Sequence, residues 1–238
     1  MPCAMPTWGA EMVLHARGIA GGYDGVRIVD GVDLEVGAGE IVGLLGRNGM
    51  GKSTLLGALF GTVDRLSGEV EVAGRSLAAR SPDRSAAAGV AFLPEDRGVF
   101  PSLTVAESLR LARRGYRPAV DPLEVYPMLR ERAAQPAGTL SGGQQQQLGI
   151  ARAILAGSAL VCIDELTHGL QPSMVTRTFA ALRAVADSGV GVLFVDQNPD
   201  LVAASCDRVL VMEAGRIVLD RRVEDGVVEE LRRLLVLS

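Results

Sequence analysis

EIVGLLGRNGMGKSTLLGALFG runs from Glu40 to Gly61. Glu40–Gly46 is a short apolar run that stops at a glycine, and Lys52–Gly61 reads as a helix. Between them, Gly46–Ser53 has the form G-x-x-x-x-G-K-[ST]. Strand, glycine-rich turn and helix is the context in which that pattern cradles phosphate. The glycines let the backbone turn tightly, so successive N–H groups point inward at anionic oxygens. The helix that follows adds the positive end of its dipole. Lys52 then reaches the β- and γ-phosphates of a nucleotide, and the Ser53 hydroxyl suits Mg2+. Gly46, Asn48, Gly49, Gly51, Lys52, Ser53 and Thr54 make up the expected phosphate site.

Composition supports singling out this lysine. The 238 residues include 23 arginines and one lysine, Lys52. A chain that uses arginine everywhere else keeps lysine where a compact point charge is needed and a planar fork does not serve. Hydrophobic residues at 48% and charged residues at 22% are an ordinary globular balance, enough for one large domain. A net charge of −4 gives no case for nucleic acid as a partner. Cys3, Cys162 and Cys206 form neither a zinc pattern nor a disulfide framework, and read as buried reduced thiols in a cytosolic protein. The longest uncharged run, Ala133–Ala151, carries five glutamines, so it is no membrane span. MPCAMPTWGAEM lacks the basic end and apolar block of a signal peptide, and 1–11 reads as a short N-terminal extension. Service at a membrane therefore requires a partner that spans it.

Further strands follow from pattern. VRIVDGVDLEV (Val26–Val36) and GEVEVAG (Gly68–Gly74) alternate apolar and polar residues, as antiparallel or edge strands do. GVAFLPE (Gly89–Glu95), ALVCIDE (Ala159–Glu165), GVLFVDQ (Gly191–Gln197) and RVLVMEAGRIV (Arg208–Val218) read as strands, the first three with buried apolar runs. Residues 102–155 look mostly helical, broken by prolines at 118, 122, 127 and 136. The expected fold is α/β: a RecA-like P-loop core, an antiparallel β annex near the N-terminus and an inserted helical subdomain at about 100–153. A single domain over 12–238 is expected. LVCIDE adds chemistry: Asp164 fits a metal-holding role and Glu165 sits where a carboxylate can orient or deprotonate water.

LSGGQ (Leu140–Gln144) completes the set. A P-loop, then LSGGQ, then IDE in this order resembles the ATP-binding cassette family, the ATPase subunits of ABC transporters, from Tyr23 to about Leu219. The resemblance implies that ATP with Mg2+ is the ligand. It implies that two subunits pair head to tail, with Ser141, Gly142, Gly143 and Gln144 of one covering the γ-phosphate held by the other. Gln145, Gln146 and Gln147 are then solvated or interfacial helix residues. By the same resemblance Tyr23 stacks on adenine, Glu95 takes the place of the Q-loop glutamine near the metal, and Gln197 takes the place of the switch histidine. Catalysis falls to Glu165, Gln197 and Glu95, and Mg2+ to Ser53 and Asp164 with Glu95 as an additional ligand. His168, in the D-loop position, reads as a loop or interface residue and not as a metal ligand.

Three departures carry information. Leu166 stands where the family usually has proline, so restoring proline is expected to stiffen the turn and leave hydrolysis equal or faster. Gln171 replaces the usual D-loop aspartate, and the histidine switch is absent. PE before VFPSLTV, with DQN after the late strand, resembles the second ATPase subunit of branched-chain amino-acid importers, the LivF type. GGQQQQ and GLQPS are similar to the urea and short-chain amide importers. The resemblance implies an importer ATPase at the cytoplasmic face of the membrane, with permease subunits, a second ATPase subunit and, indirectly, a solute-binding protein as partners. A cassette that binds nucleotide with little hydrolysis, and a non-transport ABC ATPase, are the alternative classes.

Overall fold

The computed structural model describes residues 11–224 and 226–237. Cys3 and the extension expected at 1–11, apart from Glu11, lie outside them. The chain folds around a sheet of six strands in the order β10-β9-β3-β8-β7-β6. These are β3 (Ile41–Leu45), β6 (Val90–Leu93), β7 (Leu160–Ile163), β8 (Gly191–Asp196), β9 (Arg208–Glu213) and β10 (Arg216–Arg222). All neighbours pair parallel except β9 and β10. Every residue of β3, β7 and β8 is buried, as the unbroken apolar runs require when both faces of a parallel sheet are covered.

The two faces take alternate residues. Ile41, Leu45, Ile163 and Phe194 point into one core. It is closed by α6 (Gly142–Ala156), α7 (Pro172–Asp187), α8 (Pro199–Ser205) and α9 (Val227–Leu237). Val42, Leu44, Cys162, Leu193 and Val195 point into the other. There they meet α1 (Lys52–Phe60) and an antiparallel sheet of order β2-β1-β4-β5. Its strands are β1 (Met12–Tyr23), β2 (Val26–Gly37), β4 (Asp64–Val72) and β5 (Arg75–Ser76). Each fully buried Leu, Ile or Val contributes about 1.5–3 kcal/mol by leaving water. That sum fixes the annex against the P-loop helix.

Several expectations need correction. Strand β1 was absent from the sequence reading, which begins its strands at Val26; β1 lies between β2 and β4, with register shifts at Ala16/Ile19 and Gly21. Those shifts break the alternation that a strand signal depends on. RVLVMEAGRIV is two strands, because Ala214 (φ 45°) and Gly215 (φ 79°) turn the chain back. The block after Ser102 is less helical than expected. It holds α3 (Val105–Ala112) and α6, with only α4 (Pro122–Val125), α5 (Met128–Glu131) and a 3-10 turn at Ala137–Thr139 between. The prolines confine that stretch to single turns. Helices α2 (Pro82–Ala87), α8 and α9 were not anticipated. Cys162 is buried, but Cys206 is only partly so.

Candidate functional site

Parallel strands carry their C-terminal ends to one edge of the sheet, where ligands of open α/β sheets bind. Here β3 leads into Gly46–Gly51, β6 into Pro94–Glu95, β7 into Asp164–Glu165 and β8 ends at Asp196, followed by Gln197. The topology thus gathers residues from four distant motifs. They line two clefts, of about 440 and 330 Å3, that share Asn48, Glu95 and Glu165.

The smaller cleft is the phosphate loop. Gly49 (φ 79°) and Gly51 (φ 97°) hold the left-handed backbone that only glycine adopts without strain. Gly51 caps α1 with no side-chain hydrogen bond, and no acidic residue lies in the first turn. The helix therefore opens with N–H donors directed at the cleft that Gly49, Gly51, Lys52, Ser53 and Thr54 line. Lys52 is 7% exposed and its Nζ donates to Gly46 O and Arg47 O, both at 2.8 Å. Burial lowers its pKa; Asp164, Glu165, Glu95 and Asp196 pull it back up. The arrangement suits a polyanion, which would neutralise the lysine and occupy the helix end.

Asp164 is 2% exposed and its Oδ1 has no hydrogen-bond partner. Burial pushes its carboxyl up, a Ser53 side-chain hydrogen bond draws it down, and Glu95 and Glu165 push it up again. An orphaned buried carboxylate oxygen beside a hydroxyl and a second acid is an oxygen donor set that fits Mg2+. Among the described residues no group of three His, Cys, Asp or Glu could hold a metal alone.

The turn after β7 is built more elaborately than its sequence shows. Glu165 has φ 50°, a left-handed backbone. Leu166 N–H donates to Val195 O at 3.1 Å, and the Leu166 side chain is fully buried. Gln146, from the glutamine run, is 3% exposed, and its amide donates to Glu165 O and Leu166 O, each at 3.2 Å. Of the solvated or interfacial placement expected for the run, the solvated one fails for Gln146, which helical periodicity turns fully inward, while Gln145 and Gln147 are half-buried. Asp196 was also overlooked. It is 6% exposed and accepts from Thr167 Oγ1 at 2.6 Å, Gln197 N at 2.8 Å and Asn198 N at 3.0 Å. An acid closing a buried strand was the available signal. Gln197 Nε2 donates to Glu165 Oε1 at 3.2 Å, and His168 Nδ1 lies 3.0 Å from Glu165 Oε2. His168 thus lines the larger cleft and touches the expected base.

The other predicted residues stand outside the clefts. Ser141 caps α6 in a reciprocal box: Gln144 N donates to its hydroxyl and Ser141 N donates to Gln144 Oε1. Ser141 and Gly142 are exposed. A Cβ on Gly143 would lie 2.4 Å from Gly169 O, so only glycine lets the 167–170 loop pack on α6. Tyr23 is 54% exposed at the end of β1 and lines neither cleft; Ile28 is the annex residue that does.

Comparison with known proteins agrees with this geometry. The family model described as ABC transporter matches residues 29–168. The high-affinity branched-chain amino acid transport ATP-binding protein BraG of Pseudomonas aeruginosa is 38% identical over 203 residues, 83% of this chain and 87% of that protein. A ribose import ATP-binding protein, RbsA 2 of Rubrobacter xylanophilus, is 34% identical over 98% of this chain but only 47% of its own length. A solved ATP-binding subunit of an ABC transporter superposes with a TM-score of 0.79 at 24% identity, covering 94% of each chain. A nucleotide-free ATP-binding cassette gives 0.77 at 23% identity, over 95% of this chain and 96% of its own. The P-loop, the carboxylates gathered beside it and these likenesses lead to one conclusion: the chain belongs to the ABC transporter family, as an ATP-binding cassette and an ATPase.

Proposed function

We propose that this chain powers an ABC importer for branched-chain or other amino acids, urea or amides, acting as one ATP-binding domain over 12–238. The observation that carries the hydrolytic reading is the meeting of Lys52, Asp164, Glu165, Glu95 and Gln197 at the ends of four strands. Gly46–Thr54 would hold the phosphates, Tyr23 would stack on adenine, and Ser53 and Asp164, with Glu95 beside them, would hold Mg2+, which supplies charge neutralisation on the phosphates. Glu165 accepts a proton from the attacking water as the water oxygen bonds to the γ-phosphorus and the bond to the β-phosphate oxygen breaks. Ser141–Gln144 would complete the site of a second cassette.

The amino-acid class is supported by the likeness to BraG over most of both chains, whereas RbsA 2 matches over about half its length. Among the described residues no helix is long and apolar enough to cross a membrane. By the likeness to importer ATP-binding proteins, permease subunits would carry the solute, with this chain at their cytoplasmic face. A third cleft, of about 430 Å3, suits them. It includes Phe92, Phe100 and Leu111, and is walled by Pro94, Arg97 and Gly98 of the loop that carries Glu95. A permease helix seated there would bear on Glu95.

The test uses the complex purified with its membrane subunits. Lys52→Ala should abolish tight MgATP binding, since a charge-assisted contact to phosphate is lost. Glu165→Gln should bind MgATP and leave it uncleaved. Wild-type hydrolysis in Glu165→Gln would sink the assignment. Solute identified on the co-purified binding protein decides the substrate.

A further inference from the structure

The position that family resemblance assigns to a catalytic imidazole holds Gln197, yet an imidazole is present. His168 Nδ1 stands 3.0 Å from Glu165 Oε2, while Gln197 Nε2 donates to Glu165 Oε1 at 3.2 Å. The two side chains grip opposite oxygens of one carboxylate. They reach it from different elements: Gln197 from the end of β8, His168 from the turn after β7.

The histidine backbone is fixed although its side chain is 61% exposed. His168 N–H donates to Glu165 O at 3.1 Å and Leu170 N–H to Thr167 O at 3.1 Å. On one side Thr167 is tied by hydroxyl and N–H to Asp196 Oδ2, at 2.6 and 3.3 Å. On the other, Gly169 presses its carbonyl against Gly143. A residue held between two anchors, with its ring on a carboxylate, is placed by the fold rather than left to solvent.

Chemistry settles the direction of the contact. An ionised carboxylate only accepts, so a ring nitrogen at this distance serves it by donating. We infer that His168 is a positioning residue: its Nδ1–H, with the Gln197 amide, locks the Glu165 carboxylate in the orientation that takes the proton from attacking water. This chain thereby replaces the absent histidine at 197 with one reached from the 167–170 loop. The inference rests on the reading of Glu165 as the base. The other charged groups at the cleft, Lys52, Asp164, Glu95 and Asp196, leave Glu165 in an acidic surround where only donors can hold it.

The experiment measures kcat and KM for MgATP in the purified complex, for wild type, His168→Ala, His168→Asn, Glu165→Gln and the double variant His168→Ala/Glu165→Gln. An asparagine amide reaches the place of Nδ1 and donates from it. His168→Ala should lower kcat about 10-fold with KM unchanged, less than the 10²–10⁴ typical of losing the base itself. His168→Asn should recover most of that rate. In the Glu165→Gln background, His168→Ala should cost nothing further, because the group it acts through is gone. Wild-type kcat in His168→Ala, alongside an inactive Glu165→Gln, overturns the inference and leaves the function intact. Equal losses in His168→Ala and His168→Asn also overturn it, since donation from Nδ1 is then irrelevant. Wild-type turnover in Glu165→Gln instead refutes the underlying reading.

Discussion

Leu166 fills a place in the core, and its N–H is committed to Val195 O. Proline there would delete that donor, empty part of the pocket and crowd Glu165, whose φ of 50° a following proline disfavours. The stiffening expected from family pattern is therefore reversed. Leu166→Pro should destabilise the protein by on the order of 3 kcal/mol. An unchanged urea midpoint would show that the turn tolerates proline. Asp164 allows a second prediction at this scale. Burial raises its pKa above the ordinary 3.8, so the folded chain binds that proton more tightly than the unfolded one. Stability then falls as pH rises through the interval between 3.8 and the raised value, and the cost is complete above it. Without nucleotide and Mg2+, Asp164→Asn should melt higher than wild type at pH 7, and the gain should vanish as pH falls toward 3.8. A variant no more stable at pH 7 would mean the carboxylate is compensated.

At the scale of elements, α6 serves two ends. Its N-terminus carries the Ser141–Gln144 turn, exposed at Ser141 and Gly142, and further on Gln146 donates to the two carbonyls of the Glu165–Leu166 backbone. Arg152 farther along donates to Gly98 O and lies 5.1 Å from the Phe100 ring centroid, clasping the loop that carries Glu95. The helix thus joins the Ser141–Gln144 turn to both acidic segments of its own cleft. Gln146→Leu keeps the volume but leaves Leu166 O without its side-chain donor and Glu165 O with only the His168 N–H, at a cost of about 1–3 kcal/mol. Hydrolysis should fall several-fold while MgATP affinity, set by the P-loop, stays within about two-fold, by the logic that separates kcat from binding. Affinity and turnover falling together would place the damage in the phosphate loop instead.

For the whole molecule, the Ser141–Gln144 turn and the two clefts at the P-loop share no residue. A site completed in trans would use both, and we propose that the second cassette is a different ATPase subunit. The chain purified alone should run as a monomer with weak ATPase activity. In the assembled complex, Gln197→Ala here should cost less than replacing the residue at the matching position of the companion ATPase, where family resemblance leads us to expect the histidine this chain lacks. His168 still holds Glu165 here, so the loss is partial. Equal losses in turnover would end the argument for unequal sites.

The chemistry-bearing motifs were legible because they are local. Glycine spacing sets backbone geometry within a few residues, and Gly46–Ser53 with its flanking strand and helix needs no distant contact to be recognised. The same holds for LVCIDE, whose apolar run and terminal acids announce a buried strand and its end. Strand β1 escaped because its register shifts erase the period, and the single run at 208–218 hid a reversal that two left-handed residues make. Gln146, Asp196 and His168 escaped for a different reason. Gln146 and His168 look like surface polar residues in sequence, and Asp196, though it closes a buried strand, shows no partner there. Their roles come from partners 19 to 29 residues away or, for His168, from a turn that folds its ring back onto Glu165. Only the parallel ordering of the strands, which collects their ends at one edge, decides which polar side chains meet.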